Sequence, residues 1–209
     1  MYTPVGYAAP VLLYNNAVSG NCYKVRLLCA QLGVPLELHE LDVVDRSNRP
    51  EVLGTLNPAL RVPTLMLDDG RPLVESNAII DFLAEGTQYM PTDRYERSRA
   101  LAWQFFEQYE IEPNLAVLRF LRLFGVRAPD SVVSIKRAGG VRALEALERG
   151  LTGVDWLVGD RYSVADISLY GYTHVAHEGG FDLAAYPSIR AWLARVAAEP
   201  GHITIDTVI

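Results

Sequence analysis

The chain has 209 residues, of which 50% are hydrophobic and 21% are charged, enough for a hydrophobic core in one large or two small domains. A formal net charge of -6 gives no basic field to attract nucleic acid or anionic lipid, so neither is an expected partner. No run of about 18 apolar residues predicts a membrane span, and the N-terminus lacks the basic and apolar regions of a signal peptide, so we expect a cytoplasmic protein.

The first part of the chain alternates between predicted strands and helices. The strand VLLYN at 11–15 leads into a helix over 21–33, and the strand PLELHEL follows at 35–41. The pattern continues with a short helical stretch near 50–55, the strand VPTLML, the turn DDG, the strand RPLVE and the helix SNAIIDFLAEG. A βαβ unit followed by a β-hairpin and a last helix is the order of a thioredoxin-like α/β domain, which we place at 10–86.

The second part of the chain predicts helices without strands. The stretch GTQYMPTDR, which contains Gly86 and Pro91, has the composition of a linker. A long helical pattern follows over 94–124, with Pro113 as the expected kink, and further helices are predicted at 129–150, 164–178 and 188–198. We therefore expect an all-α domain over 94–209.

Ser19 and both cysteines of the chain lie where the first strand meets the first helix, in the stretch SGNCYKVRLLCAQLG. Cys22 and Cys29 are seven residues apart on that helix, which separates them by about 10 Å. This distance is too long for a disulfide, so we expect reduced thiols. Cys29 is expected in the core, whereas the helix N-terminus would activate the Cys22 thiol.

Four motifs, in order along nearly the whole chain, resemble the glutathione S-transferase family, in particular its bacterial members with an active-site serine or cysteine. They are SGNCYKVRLL, NPALRVPTL, LVESNAIIDFLAE and YSVADISLY. The resemblance implies that the first domain binds glutathione and that the second supplies most of the pocket for an electrophilic co-substrate. It also implies a homodimer and conjugation of glutathione, as a substrate, to a small apolar electrophile.

Within this resemblance Ser19 is the leading candidate for the residue that stabilises the glutathione thiolate. A hydroxyl hydrogen bond and the positive end of a helix both favour a thiolate over a thiol. From the residues alone, a helix cap is the favoured interpretation of Ser19, and the resemblance reverses this preference. Cys22 stands at the position of the second cysteine of a thioredoxin Cys-x-x-Cys motif, and two alternatives for it stay open. It is a redox nucleophile, or it is a packing residue, as the resemblance implies for members that use the serine.

The remaining glutathione contacts follow from the other motifs. Pro63 is expected to be cis, which would leave the backbone of Val62 free to pair with a peptide ligand. Leu60 stands where the family has glycine, so Arg61 and Arg49 are the available cations for the glycine carboxylate, or else surface arginines.

The motif LVESNAII contains two adjacent residues that can bind groups of opposite charge. Ser76 begins a helix and can bind the α-carboxylate of a γ-glutamyl group, and Glu75 can accept from its ammonium. Without the resemblance, Ser76 would be an ordinary N-cap. Asn21, in the first turn after Ser19, completes the predicted glutathione-binding set.

The helical half holds weaker candidates. Tyr109 and Arg119 are predicted to line the co-substrate pocket, and Ser163 with Asp166 forms a structural capping box. His174 and His177 lack a third ligand at useful spacing, so no metal is expected. Two other functions stay open: a glutathione-dependent disulfide or dehydroascorbate-type reductase that uses Cys22, and a non-catalytic binding protein that kept the fold.

Overall fold

The computed structural model describes residues 10–208, which divide into two compact units. The first unit ends at Gln88 and also includes the segment from Pro200 onward, and the second is Tyr89–Glu199. The sequence places that C-terminal segment in the predicted all-α domain over 94–209, and the predicted domain bounds stay a prediction. Residues 1–9, on which part of the signal-peptide argument rests, and the predicted last residue of the second domain, Ile209, lie outside the described residues.

Within the described part of the first unit, a mixed four-stranded sheet has the order β2-β1-β3-β4. Its strands are β1 (Val11–Asn15), β2 (Leu36–Glu40), β3 (Thr64–Met66) and β4 (Pro72–Val74). β1 is parallel to β2 and antiparallel to β3, and β3 is antiparallel to β4. Three helices accompany it: α1 (Gly20–Leu32), α2 (Arg49–Leu53) and α3 (Ser76–Ala84). The predicted thioredoxin-like order is confirmed.

Helix α1 is defined by its ends and by its burial. Ser19 caps the N-terminus, and Gly33 ends the helix in the left-handed region at φ 69°, where a side chain would be strained. The residues from Cys22 to Cys29 are all buried, so the helix has no solvent face in its central turns. It packs against α3, whose Ile79 and Ile80 are also fully buried.

The second unit is all-helical, as predicted. Its α-helices are α4 (Arg94–Phe106), α5 (Val117–Leu123), α6 (Asp130–Leu151), α7 (Val164–Thr173) and α8 (Pro187–Ala197). The helix predicted over 164–178 ends earlier, and a short 3₁₀ helix follows at Ala176–Gly179. No helix in residues 10–208 is both long and apolar enough to cross a membrane.

The long helix over 94–124 changes its winding around Pro113, where the sequence predicts a kink. A π-helix, Glu107–Ala116, lies between α4 and α5 and contains the proline. Proline has no N–H to donate and its ring collides with a carbonyl one α-turn earlier. The wider π-turns accommodate the proline, and helical structure continues without a break from Arg94 to Leu123.

Candidate functional site

Three chain segments meet at one edge of the sheet in the first unit. Tyr14 near the end of β1 pairs with Thr64 at the start of β3, and Thr64 pairs with Val74 at the end of β4. Because β3 runs antiparallel to both neighbours, its beginning lies beside their ends. The sheet therefore brings together the predicted segments around Ser19, Val62–Pro63 and Glu75–Ser76.

Ser19 combines a capping role with an available proton. Its backbone is extended at φ -73° and ψ 120°, and its Oγ accepts from the N–H of Cys22 at 3.3 Å. Because a hydroxyl can donate and accept at once, capping leaves the Ser19 proton available for a sulfur atom. Burial raises the pKa of the Cys22 thiol, and the Ser19 side chain opposes that rise. The capping and thiolate roles are therefore compatible.

The environment of Cys22 is the reverse of the one that the sequence suggested. The side chain is 0% exposed, and burial raises its pKa to about 11, while hydrogen bonds from Ser19 and the Asn16 backbone oppose that rise. The expected activation by the helix N-terminus is outweighed by desolvation of the thiolate. Cys29 is buried in the core, as predicted, and burial raises its pKa to about 12. Both cysteines are free thiols.

Asn21 links the N-termini of α1 and α3. Its Oδ1 accepts from Ser76 Oγ at 3.2 Å and from Lys24 Nζ at 2.8 Å. Lys24 is 0% exposed, so a buried amino group and the Ser76 hydroxyl share one acceptor, Asn21 Oδ1. Lys24 is not among the predicted site residues, although a lysine three residues after Asn21 on an otherwise apolar helix face is a visible signal in the sequence.

Glu75 precedes α3 in an unusual backbone conformation, with φ 69° and ψ 117°. A positive φ is disfavoured for residues other than glycine, and such strain tends to persist at functional sites. The side chain is exposed to solvent, whereas the adjacent Ser76 is buried. The carboxylate is therefore accessible to a cationic group of a ligand.

The Val62–Pro63 peptide bond is cis, as the resemblance implies. Arg61 is exposed, and its carbonyl accepts from Asn57 Nδ2 at 2.9 Å and from Thr64 Oγ1 at 3.0 Å. Asn57, buried beneath this loop, is a second residue that the sequence argument did not identify. Arg61 is thus an accessible cation on a loop with a fixed backbone.

Arg49, the other predicted carboxylate ligand, is only 2% exposed. Its Nη1 donates to the carbonyl of Leu60 at 2.8 Å and its Nη2 to that of Asp42 at 2.7 Å. Leu60 takes a positive φ of 53° at the position where the family has glycine. Arg49 therefore holds this strained loop through two backbone carbonyls, and a contact with the glycine carboxylate stays a prediction.

The two pocket candidates of the second unit differ in environment. Tyr109 is 75% exposed, whereas Arg119 is buried and its Nε lies 2.6 Å from Glu178 Oε2. Arg119 is thus committed to an ion pair, and a contact of Tyr109 with a co-substrate stays a prediction. Within residues 10–208, no group of three or more His, Cys, Asp or Glu side chains is arranged to hold a metal.

Comparison with known proteins agrees with this architecture. Residues 13–88 match the family model "Glutathione S-transferase, N-terminal domain", and residues 111–200 match "Glutathione S-transferase, C-terminal domain". The crystal structure of a glutathione S-transferase from Pseudomonas fluorescens is 43% identical with a TM-score of 0.89, over 94% of this chain and 99% of that chain.

Two curated relatives have other named activities. A maleylacetoacetate isomerase from Pseudomonas aeruginosa is 30% identical over 195 residues, which cover 90% of this chain and 92% of the relative. The disulfide-bond oxidoreductase YfcG of Escherichia coli is 28% identical over 195 residues, which cover 88% and 89%.

Proposed function

The chain belongs to the glutathione S-transferase family, and from this premise we propose that it is a glutathione transferase that acts on small apolar electrophiles. The observation that carries the proposal is the position of Ser19, whose hydroxyl caps α1 and keeps a proton to donate to sulfur. In the reaction, glutathione loses its thiol proton to solvent, and its sulfur forms a bond to the electrophilic carbon. With a chlorinated aromatic substrate, the carbon–chlorine bond breaks and chloride leaves.

The energy needed to activate the thiol is within reach of this geometry. A free thiol has a pKa of about 8.5, so few molecules are thiolates at neutral pH. A lower pKa by two units requires about 2.7 kcal/mol of differential stabilisation. A charge-assisted hydrogen bond contributes about 1.5–3 kcal/mol, and a helix N-terminus adds about 0.3–1 kcal/mol.

The same sheet edge supports a mode of glutathione binding. The γ-glutamyl group would bind Ser76 through its carboxylate and Glu75 through its ammonium. The cysteinyl backbone would pair with Val62, and the glycine carboxylate would lie near Arg61. The buried Lys24 ammonium supports this arrangement because it adds positive charge beside the Asn21–Ser76 pair, where the carboxylate would lie.

A glutathione-dependent disulfide reductase is the second candidate. The relationship to the oxidoreductase YfcG favours it. The burial and raised pKa of Cys22 weigh against a nucleophilic thiol at that position, because the thiolate is the reactive form. A non-catalytic binding protein is the third candidate, for which retention on immobilised glutathione without turnover would be the signature.

We also propose that the chain forms a homodimer in the cytoplasm and serves detoxification, as family resemblance suggests. Leu101 and Phe105 lie four residues apart on α4, and both are about half exposed, at 46% and 55%. Large apolar side chains at this spacing form a stripe that a second copy could cover.

The proposed function is tested by comparing Ser19→Ala with Cys22→Ala. We expect Ser19→Ala to raise the pKa of bound glutathione, measured from thiolate absorbance, by about one unit or more and to lower conjugation of a chlorinated aromatic in parallel. Cys22→Ala, the control, should leave the pKa of bound glutathione unchanged. Because Ser19→Ala also removes a cap worth about 1 kcal/mol, its folding is verified first by circular dichroism.

The opposite pattern would identify the reductase. In that case Cys22→Ala abolishes reduction of a mixed disulfide, and wild-type protein treated with oxidised glutathione gains one glutathione by mass. A folded Ser19→Ala variant with an unshifted thiol titration and full conjugating activity would refute the transferase mechanism.

A further inference from the structure

Arg26 connects the loop before Ser19 to the C-terminal segment of the chain. The side chain is buried, and its Nη2 donates to the carbonyl of Ala17 at 2.7 Å and to that of Ile205 at 3.1 Å. Its Nη1 donates to the carbonyl of Thr207 at 3.4 Å. One guanidinium therefore has acceptors on two parts of the chain that are almost 190 residues apart in sequence.

The C-terminal segment, residues 203–207, is held on α1 by further contacts. Tyr23 donates its hydroxyl to the carbonyl of Ile203 at 2.7 Å, next to Arg26 on the same helix. The Ile205 side chain is only 6% exposed and belongs to the core of the first unit. Residues 203–207 are therefore packed onto α1.

The Ala17 peptide is also held from its other side. Its N–H donates to Glu40 Oε2 at 3.1 Å, while its carbonyl accepts from Arg26. The neighbouring Asn16 donates its Nδ2 to the carbonyl of Leu41 at 2.9 Å. The loop that leads to Ser19 is thus fixed at Ala17, whose backbone N–H is bound by a carboxylate and whose carbonyl is bound by a guanidinium.

We propose that residues 203–207 help to position the Ser19 hydroxyl in the glutathione site, and that Arg26 is the positioning residue through which they act. This inference rests on the proposed function, in which the Ser19 hydroxyl stabilises the thiolate. A buried guanidinium needs acceptors. When the C-terminal segment is displaced, Arg26 loses two of its carbonyl acceptors, turns toward water and releases Ala17, two residues before Ser19. The hydrogen bond from Ser19 to sulfur weakens because such bonds depend steeply on distance and angle.

The test uses full-length variants and the pKa of the bound glutathione thiol. Arg26→Met removes the donors, and Ile205→Asp places a charge in the core and displaces the segment. Both should raise the thiol pKa by about half a unit or more, in the same direction as Ser19→Ala. Val208→Asp is the matched control, because Val208 is 95% exposed and close to Ile205 in sequence, and it should leave the thiol pKa unchanged.

A double mutant separates positioning from a general loss of stability. In a Ser19→Ala background, Arg26→Met should produce no further shift in the thiol pKa, because the group that it positions is absent. A further shift of equal size in that background would overturn the inference, because Arg26 would then act without Ser19. If Arg26→Met does not fold, Ile205→Asp and Arg26→Lys, which keeps the charge but loses the fork, provide the same comparison.

The remaining outcomes distinguish the inference from the function on which it rests. If Ser19→Ala raises the thiol pKa but Arg26→Met and Ile205→Asp do not, the role of the segment is refuted and the transferase mechanism stands. If Ser19→Ala itself leaves the thiol pKa unchanged, the proposed function fails and the inference fails with it.

Discussion

Replacement of Asp166 should strongly destabilise the helical unit, because four donors converge on its carboxylate. Leu157 N and Trp192 Nε1 donate to Oδ1 at 3.1 and 2.9 Å, and the N and Oγ of Ser163 donate to Oδ2 at 3.0 and 3.2 Å. Asp166→Asn turns an amide –NH₂ toward one of these buried donors and should cost about 1–3 kcal/mol. Asp166→Ala leaves three buried N–H groups without an acceptor and should cost about 3–5 kcal/mol.

The effect should depend on pH in a defined direction. Burial raises the pKa of Asp166 to about 6, although the four hydrogen bonds oppose this rise. The carboxyl titrates near 3.9 in the unfolded chain, so the folded state binds the proton more tightly. Its stabilising contribution is complete below pH 4 and is lost as the pH rises through 6. Of the donors, the Ser163 hydroxyl can rotate to accept the added proton.

The magnitude follows from linkage. Wild type should gain about 1 kcal/mol between pH 7 and pH 5 from this group, a gain that Asp166→Asn cannot make. The difference in unfolding free energy between wild type and Asp166→Asn should therefore widen by that amount on acidification. Urea denaturation followed by tryptophan fluorescence is a suitable assay, since the three tryptophans, Trp103, Trp156 and Trp192, all lie in the helical unit.

Asp160→Asn is the control for this experiment, because the Asp160 carboxylate is 93% exposed. Its stability difference from wild type should be small and nearly independent of pH. The reasoning is wrong if the Asp166→Asn difference narrows at pH 5, which would mean that the folded pKa lies below the unfolded one. If the unfolding free energy of Asp166→Ala lies within about 1 kcal/mol of wild type, the three buried N–H groups do not depend on the carboxylate as proposed.

Two further predictions concern the ligand and the assembly. Ser76→Ala should weaken glutathione binding at least tenfold, by loss of about 1.5–3 kcal/mol, without changing the pKa of the bound thiol. Affinity is measured by calorimetric titration, and Ser98→Ala, at an exposed serine, is the control. An unchanged affinity of Ser76→Ala would exclude this contact. Sedimentation of the wild-type protein at micromolar concentration should give about twice the chain mass of 23.2 kDa. Phe105→Arg should shift the measured mass toward that of the monomer. A monomeric wild-type protein would refute the dimer.

Features determined by neighbours in sequence were predictable. The Ser19 cap and the Ser163–Asp166 capping box both involve residues three apart, and both are present. The order of strands and helices also followed from the residue pattern, whereas the cis bond before Pro63 followed from the resemblance. In each case the signal was local, or was carried by a motif of fewer than fifteen residues.

Properties set by tertiary burial were not predictable in the same way. A cysteine in a first helical turn suggests a lowered thiol pKa, yet the packing around Cys22 removes water and reverses the direction. Arg49 lies eleven residues before Leu60 in sequence, and only the folded loop shows that its guanidinium donates to that carbonyl. The C-terminal segment has no periodicity that would reveal its place on α1.

The buried cations of the first unit share one role, which is to hold the backbone segments that form the candidate glutathione site. Each donates to an oxygen in or beside one of the three segments that meet at the sheet edge: Arg26 to Ala17, Lys24 to Asn21 and Arg49 to Leu60. A cation that fixes a backbone from inside leaves the outer face of the segment free for a ligand. The segment that Arg26 fixes leads to Ser19, so the position of this cation and the activation of the thiol are linked through the Ser19 hydroxyl. Positioning and activation thus depend on the same buried side chains.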